Sequence, residues 1–195
     1  MLVLHGDGPG LFGYDLPRLH AVANDFPAAL LVAAVIFEIA FLITKRDSLR
    51  VAAYWTLLAG VLGAGLAILT GLLAEDHIAH GRAIHEIMEE HEELAYFTGG
   101  IFGVVAVWRL LRERTMQRAE RIAALVLALV GTGVLISTGW HGGELMFDHA
   151  AGVSNEDLER ELKNRAAGHE HGNADDDDED HDQPADSTPG PAPAP

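Results

Sequence analysis

The sequence predicts an all-α integral membrane four-helix bundle followed by a disordered acidic tail, and three observations predict it. Four nearly uncharged apolar blocks recur along the 195 residues, and each approaches the roughly 20 residues that a helix needs to cross ~30 Å of hydrocarbon. Nothing alternates with the period of a barrel strand, which leaves helices as the spanning structure. The charge is segregated: the chain is 49% hydrophobic yet carries a formal net charge of −16, so its acidity must lie outside the blocks.

The chain opens on a polar lead-in, residues 1–25, containing His5 and His20. This stretch lacks the basic and apolar regions of a cleavable signal, so targeting is expected from the first span itself. The membrane domain is expected over 26–153, with spans near 26–44, 51–74, 94–111 and 122–140. The third apolar run is short and is expected to extend back through the polar helix 84–93. Small residues four apart (Ala59, Gly63, Ala67 and Gly71; Gly99 and Gly103) suit close helix packing, and Trp55, Trp108 and Trp140 sit where interfacial anchors do. A polar surface segment follows at 154–167. Residues 168–195 are poor in apolar side chains and dense in like charge, the composition of a disordered tail. His169, His171, His181 and the Asp run there could hold divalent cations weakly; a solvated tail is the simpler reading.

Basic residues set the orientation. Lys45, Arg46 and Arg50 join spans one and two, while Arg109, Arg112, Arg114, Arg118 and Arg121 flank the turn between spans three and four. The positive-inside rule then puts both termini outside the cytoplasm, and a bacterial inner membrane is the expected location. With that topology all eleven histidines fall on the extracytoplasmic side, whereas Glu38, Asp47, Glu113 and Glu120 are the carboxylates that do not. The rule accounts for the carboxylates but not for neutral imidazoles.

The stretch 75–93, EDHIAHGRAIHEIMEEHEE, concentrates four of those histidines: His77, His80, His85 and His91. On a helix, Ile84, Ile87, Met88, Leu94 and Ala95 surround His91 at spacings of three, four and seven, while Glu86, Glu89, Glu90 and Glu93 point elsewhere. His91 is thus expected on a buried stripe. A second cluster, His141, Glu144 and His149, lies where span four emerges, and Gly142-Gly143 is expected to let the chain bend there.

Two chemistries would use these groups. Haem b needs one or two axial imidazoles from facing helices and apolar walls; His91 and His20 are the first candidates, with His77 and His141 as substitutes. A Zn or Cu site needs three or four ligands in a compact shell, for which His77, His80, His91, Glu144 and His149 are the candidates. No His-Glu-x-x-His and no Glu-x-x-His pair is present, and an interfacial histidine is commonly no more than a hydrogen-bonded anchor. The absence of cysteine excludes disulfides, thiolate metal sites and covalent c-type haem. Glu38, alone in an uncharged span, belongs either to a proton path or to an ion pair with an arginine such as Arg109.

Phe26-Pro27 after His20, the acidic segment ending at His91, and above all Gly142-Gly143-Glu144-Leu145 followed by His149 and Gly152-Val153 resemble an uncharacterised bacterial family of predicted four-span membrane proteins. The likeness covers about residues 20–153. The family pattern often has a second histidine just before Phe-Pro, where this chain has Asp25. The resemblance implies a setting beside Rieske or cytochrome c modules, hence electron transfer.

The sequence therefore points first to a redox-cofactor membrane protein, working between quinone in the lipid bilayer and a periplasmic redox protein. A Zn- or Cu-binding or sensing protein comes second, and a structural subunit of a homo- or hetero-oligomeric membrane complex third. No nucleophile–base set, phosphate loop or nucleic-acid surface is present, and no catalytic turnover is assigned.

Overall fold

The computed structural model of the chain describes residues 15–78 and 81–168. The start of the lead-in, His80 and the acidic tail lie outside the described residues. Four long helices follow one another: α1 (Leu16–Thr44), α2 (Asp47–Glu75), α3 (Arg82–Arg112) and α4 (Arg118–Phe147). All four are long and apolar enough to cross a membrane. A short helix, α5 (Asn155–Ala166), belongs to a separate compact unit that begins at Asn155, and is polar with no buried residue.

The helices outrun their apolar blocks because local signals start and stop them. Asp15 caps α1, its carboxylate accepting from Arg18 N–H at 2.9 Å, and Pro17 sits in the first turn, where a missing N–H costs nothing. Helix α1 therefore begins ten residues before the first apolar run, and His20 lies on it rather than in a lead-in loop. Gln117 and Glu120 form a reciprocal capping box at the start of α4. Helix α3 begins after Gly81 and runs unbroken through the acidic stretch, as its hydrophobic stripe predicts.

Helix α1 packs on α2 and α3 on α4 as two antiparallel hairpins, closed into a bundle by α2 on α3 and α1 on α4. Helices α1 and α3 thus face each other across the bundle and run in the same direction. The two hairpins repeat each other in register. Buried Pro27, Leu31, Ala34, Val35 and Glu38 of α1 stand 71 positions before buried Thr98, Phe102, Val105, Ala106 and Arg109 of α3. The same spacing of 71 relates Ala53, Leu57, Gly60 and Ala67 of α2 to Ala124, Ala128, Gly131 and Thr138 of α4. Leu31 and Phe102, the two largest fully buried side chains, are equivalent to one another and both belong to the core cluster.

Each sits against a glycine of its own hairpin. A Cβ on Gly60 would come within 2.7 Å of Leu31, and one on Gly131 within 2.9 Å of Ile101 and 3.0 Å of Phe102. The small-residue stripe of α2 therefore runs through Ala53, Gly60, Ala64 and Ala67 rather than through Ala59, which faces outward. Gly103 likewise meets nothing, and Gly131 is the glycine that lets α3 and α4 approach. Trp55 and Trp140 point outward as anchors would, whereas Trp108 packs against the core. Gly60→Ala and Gly131→Ala are each expected to lower the thermal midpoint in detergent, by about 1–3 kcal/mol of overpacking. Gly65→Ala, in open space, is the neutral control. Equal melting of all three would contradict this packing.

Candidate functional site

Helix α1 begins where α2 ends, and α3 begins where α4 ends, so these four termini share one end of the bundle. His20 and His91 come together there. The His20 Nδ1 lies 3.0 Å from the Ala67 carbonyl oxygen and 3.3 Å from Thr70 Oγ1; the His91 Nδ1 lies 2.9 Å from the Thr138 carbonyl oxygen. A carbonyl only accepts, so each Nδ1 carries the proton and donates, leaving Nε2 with a free lone pair. The ring centroids are 6.3 Å apart and the planes cross at 84°.

The two histidines are equivalent in the repeat, and so is their support. Each donates to a carbonyl 47 positions further on, and each ring lies over a glycine one helical turn beyond that carbonyl. A Cβ on Gly71 would stand 3.1 Å from His20 Cε1, and one on Gly142 would stand 3.1 Å from His91 Cε1. The expected bend at Gly142-Gly143 is absent: α4 continues through both to Phe147. The chain reverses later, at Ala150 (φ 51°) and Gly152 (φ 86°), and Gly152 approaches Pro17 at the start of α1.

Between the helices at this end lies a cavity of about 380 Å³ that includes both imidazoles. Its walls are largely apolar, from Ile68, Leu72, Met88, Ala95, Leu135 and Leu145. Among its polar linings, Tyr96 donates to Glu92 Oε1 at 2.6 Å.

The other described sequence candidates do not line the cavity. His77 is exposed and bonds Leu73 O of its own helix at 3.1 Å. His141 bonds Ser137 O of its own helix at 2.9 Å, and its Nε2 faces Glu90 across α3 and α4 at 3.4 Å. His149 is exposed and Glu144 half-buried; His80 lies outside the described residues. Among the described residues no three metal-ligating side chains stand together.

At the opposite end of the bundle Glu38 pairs with Arg109 at 2.7 Å, one of the two readings of its place in the span, and also with Arg121 at 3.3 Å. The sequence reading missed the rest of this cluster. Glu113 meets Arg109 at 2.8 Å, Arg121 at 3.0 Å and Arg50 at 2.8 Å. Glu38 and Arg109 are repeat equivalents, and so are Arg50 and Arg121. Burial alone would push the Glu113 carboxyl up, but hydrogen bonds from Arg109, Arg121 and Arg50 outweigh it and hold the group below the usual carboxylate range.

The family model described as predicted membrane protein (DUF2231) matches residues 17–155, the span that carries both hairpins and the histidine pair. No curated protein and no solved structure matches the chain significantly.

Removing the Glu38 charge leaves two buried guanidiniums short of a partner, so Glu38→Gln is expected to cost about 3–5 kcal/mol. A thermal midpoint in detergent that does not move would refute that assignment. Glu113 should make the fold acid-sensitive. A carboxyl whose folded pKa is depressed contributes stability that is present above its ordinary pKa and lost as pH falls through the folded one. The melting midpoint should therefore drop in acid, and drop less in Glu113→Gln, which begins lower.

Proposed function

We propose that this chain, which belongs to the family of predicted membrane proteins DUF2231, binds a b-type haem between His20 and His91 and serves in electron transfer across the histidine end of the bundle. The observation that carries the reading is the spacing of the two rings. Two metal–nitrogen bonds of about 2.0 Å, with about 1.1 Å from each nitrogen to its ring centre, separate the centroids of two imidazoles on opposite sides of one iron by about 6.2 Å. The rings here stand 6.3 Å apart.

The surroundings support the same reading. Each Nδ1–H is fixed on a backbone carbonyl, which sets the tautomer, orients the ring and makes Nε2 a better donor to a metal. The cavity volume falls within the range of small-molecule and cofactor sites, and its walls are apolar where a macrocycle requires them. With no cysteine in the chain, attachment is through these ligands and packing alone. Bound iron would supply a ferric–ferrous couple. The residues of this chain hold the ligands, exclude water with Leu135, Met88 and Ile68, and leave the rim open to partners.

The basic turns at the Glu38 end support an extracytoplasmic histidine end by the positive-inside rule. The partners of that face are then a quinol from the bilayer and a periplasmic redox protein, with a bacterial inner membrane as the location. A Zn or Cu site has no comparable support: among the described residues no three metal-ligating side chains stand together, where such a site needs three or four ligands.

Absorption spectra of the full chain, purified after expression with added haem precursor, test the proposal in its oxidised and dithionite-reduced states. A Soret band that sharpens and shifts on reduction is expected. His20→Ala and His91→Ala should each abolish the six-coordinate spectrum, whereas His77→Ala and His141→Ala should keep it. A folded chain without a Soret band overturns the reading, and stoichiometric Zn or Cu without iron replaces it.

A further inference from the structure

We infer that Gly71 and Gly142, with the carbonyls of Ala67 and Thr138, are paired positioning residues that hold the two imidazole planes crossed, the orientation in which they would meet a haem bound between them. The inference rests on the haem reading above and goes further, because it assigns the orientation of the ligands rather than their identity.

The argument starts from helix geometry. In a helix the carbonyl of residue i already accepts the N–H of residue i+4. The Ala67 carbonyl is thus engaged by Gly71, and that of Thr138 by Gly142. A carbonyl oxygen has a second lone pair, but a side chain at i+4 crowds the approach to it. Glycine at that position leaves the second lone pair open to a donor from a neighbouring helix. Both histidines use this opening. The His20 Nδ1 takes Ala67 O at 3.0 Å, and a Cβ on Gly71 would meet its Cε1, Nδ1 and Nε2 at 3.1, 3.3 and 3.6 Å. The His91 Nδ1 takes Thr138 O at 2.9 Å, and a Cβ on Gly142 would meet the same three atoms at 3.1, 3.5 and 4.0 Å.

Each ring is therefore held by a donor–acceptor bond at one edge and by a bare backbone beneath, which fixes its rotation as well as its position. The two supports are repeat equivalents on different hairpins. They therefore turn the rings independently, and the planes cross at 84°. Nothing between the rings is needed to set that angle. Thr70 adds a second acceptor beside His20 at 3.3 Å, whereas the equivalent position in the second hairpin is His141, which bonds its own helix. The carbonyl–glycine pair is what the two sites share.

Low-temperature electron paramagnetic resonance of the oxidised, haem-loaded full chain reads the ligand planes directly. Crossed imidazoles give a strongly anisotropic low-spin ferric signal dominated by one low-field feature, while parallel ones give an ordinary three-line rhombic signal. The first is expected. A Soret band with a rhombic signal overturns this inference and leaves the haem reading standing; no Soret band removes both. Gly71→Ala and Gly142→Ala should each shift the signal toward the rhombic form by turning one ring. Gly65→Ala, which meets no neighbour, should leave it unchanged. If Gly71→Ala and Gly142→Ala keep the Soret band and the wild-type signal, the positioning role is refuted. Should either fail to fold, the wild-type spectrum still decides between crossed and parallel planes.

Discussion

In hydrocarbon two helices gain little by hiding apolar surface from one another, so what holds α1 to α2 and α3 to α4 is close contact where a bulky side chain meets a glycine. Leu31 on Gly60 and Phe102 on Gly131 make that contact at mid-depth. His20 on Gly71 and His91 on Gly142 make it again about three turns away. The two levels depend on each other. Without close approach at the middle, the imidazoles would not reach a backbone carbonyl on the neighbouring helix. Without glycine at the upper level, they would reach it only by pushing the helices apart.

The register of the two hairpins puts equivalent residues opposite each other on α1 and α3. This has a consequence for charge. Two identical hairpins would bring like groups together at the position of Glu38 and Arg109, and like charges there would repel in a medium of low dielectric. Two hairpins in one chain can differ, and here that position holds opposite charges 2.7 Å apart. At the histidine level the two copies remain alike, His20 facing His91 across the bundle. Difference at one end and identity at the other are both intelligible from what the facing groups must do.

The spans were legible because apolar runs of membrane length have few other uses. Their ends were less so: Leu16–Asp25 is polar in composition, and only the Asp15 cap and Pro17 mark it as the first turns of α1. The stripe around His91 was readable from spacings of three, four and seven, and the cost of a lone buried carboxylate offered Glu38 with Arg109 as one of two readings, beside a proton path. His20 ranked first opposite His91, with His77 and His141 as substitutes, but the spacing and support of the two rings depend on how the hairpins meet. The repeat could have singled out this pair. Arg50-Val51-Ala52-Ala53 and Arg121-Ile122-Ala123-Ala124 share a pattern, as do His20 with Phe26 and His91 with Phe97, all at one spacing. Gly142-Gly143 was misread because glycine near a helix end usually signals a turn, whereas here Gly142 makes room for a ring.

The hollow at the histidine end also follows from residue choice rather than from loose packing. The same bundle fills its centre with Leu31 and Phe102, neither of which has any exposed surface. One level up, Ala67, Gly71, Ala95 and Gly142, all small, are among the residues that line the cavity. Unfilled volume forfeits dispersion contacts and destabilises a core in proportion to its size. Filling it would have taken only larger apolar side chains, which the chain uses freely on its outer, lipid-facing surface. Small residues facing inward beside two oriented imidazoles leave that volume unfilled and forgo the contacts that larger side chains would make.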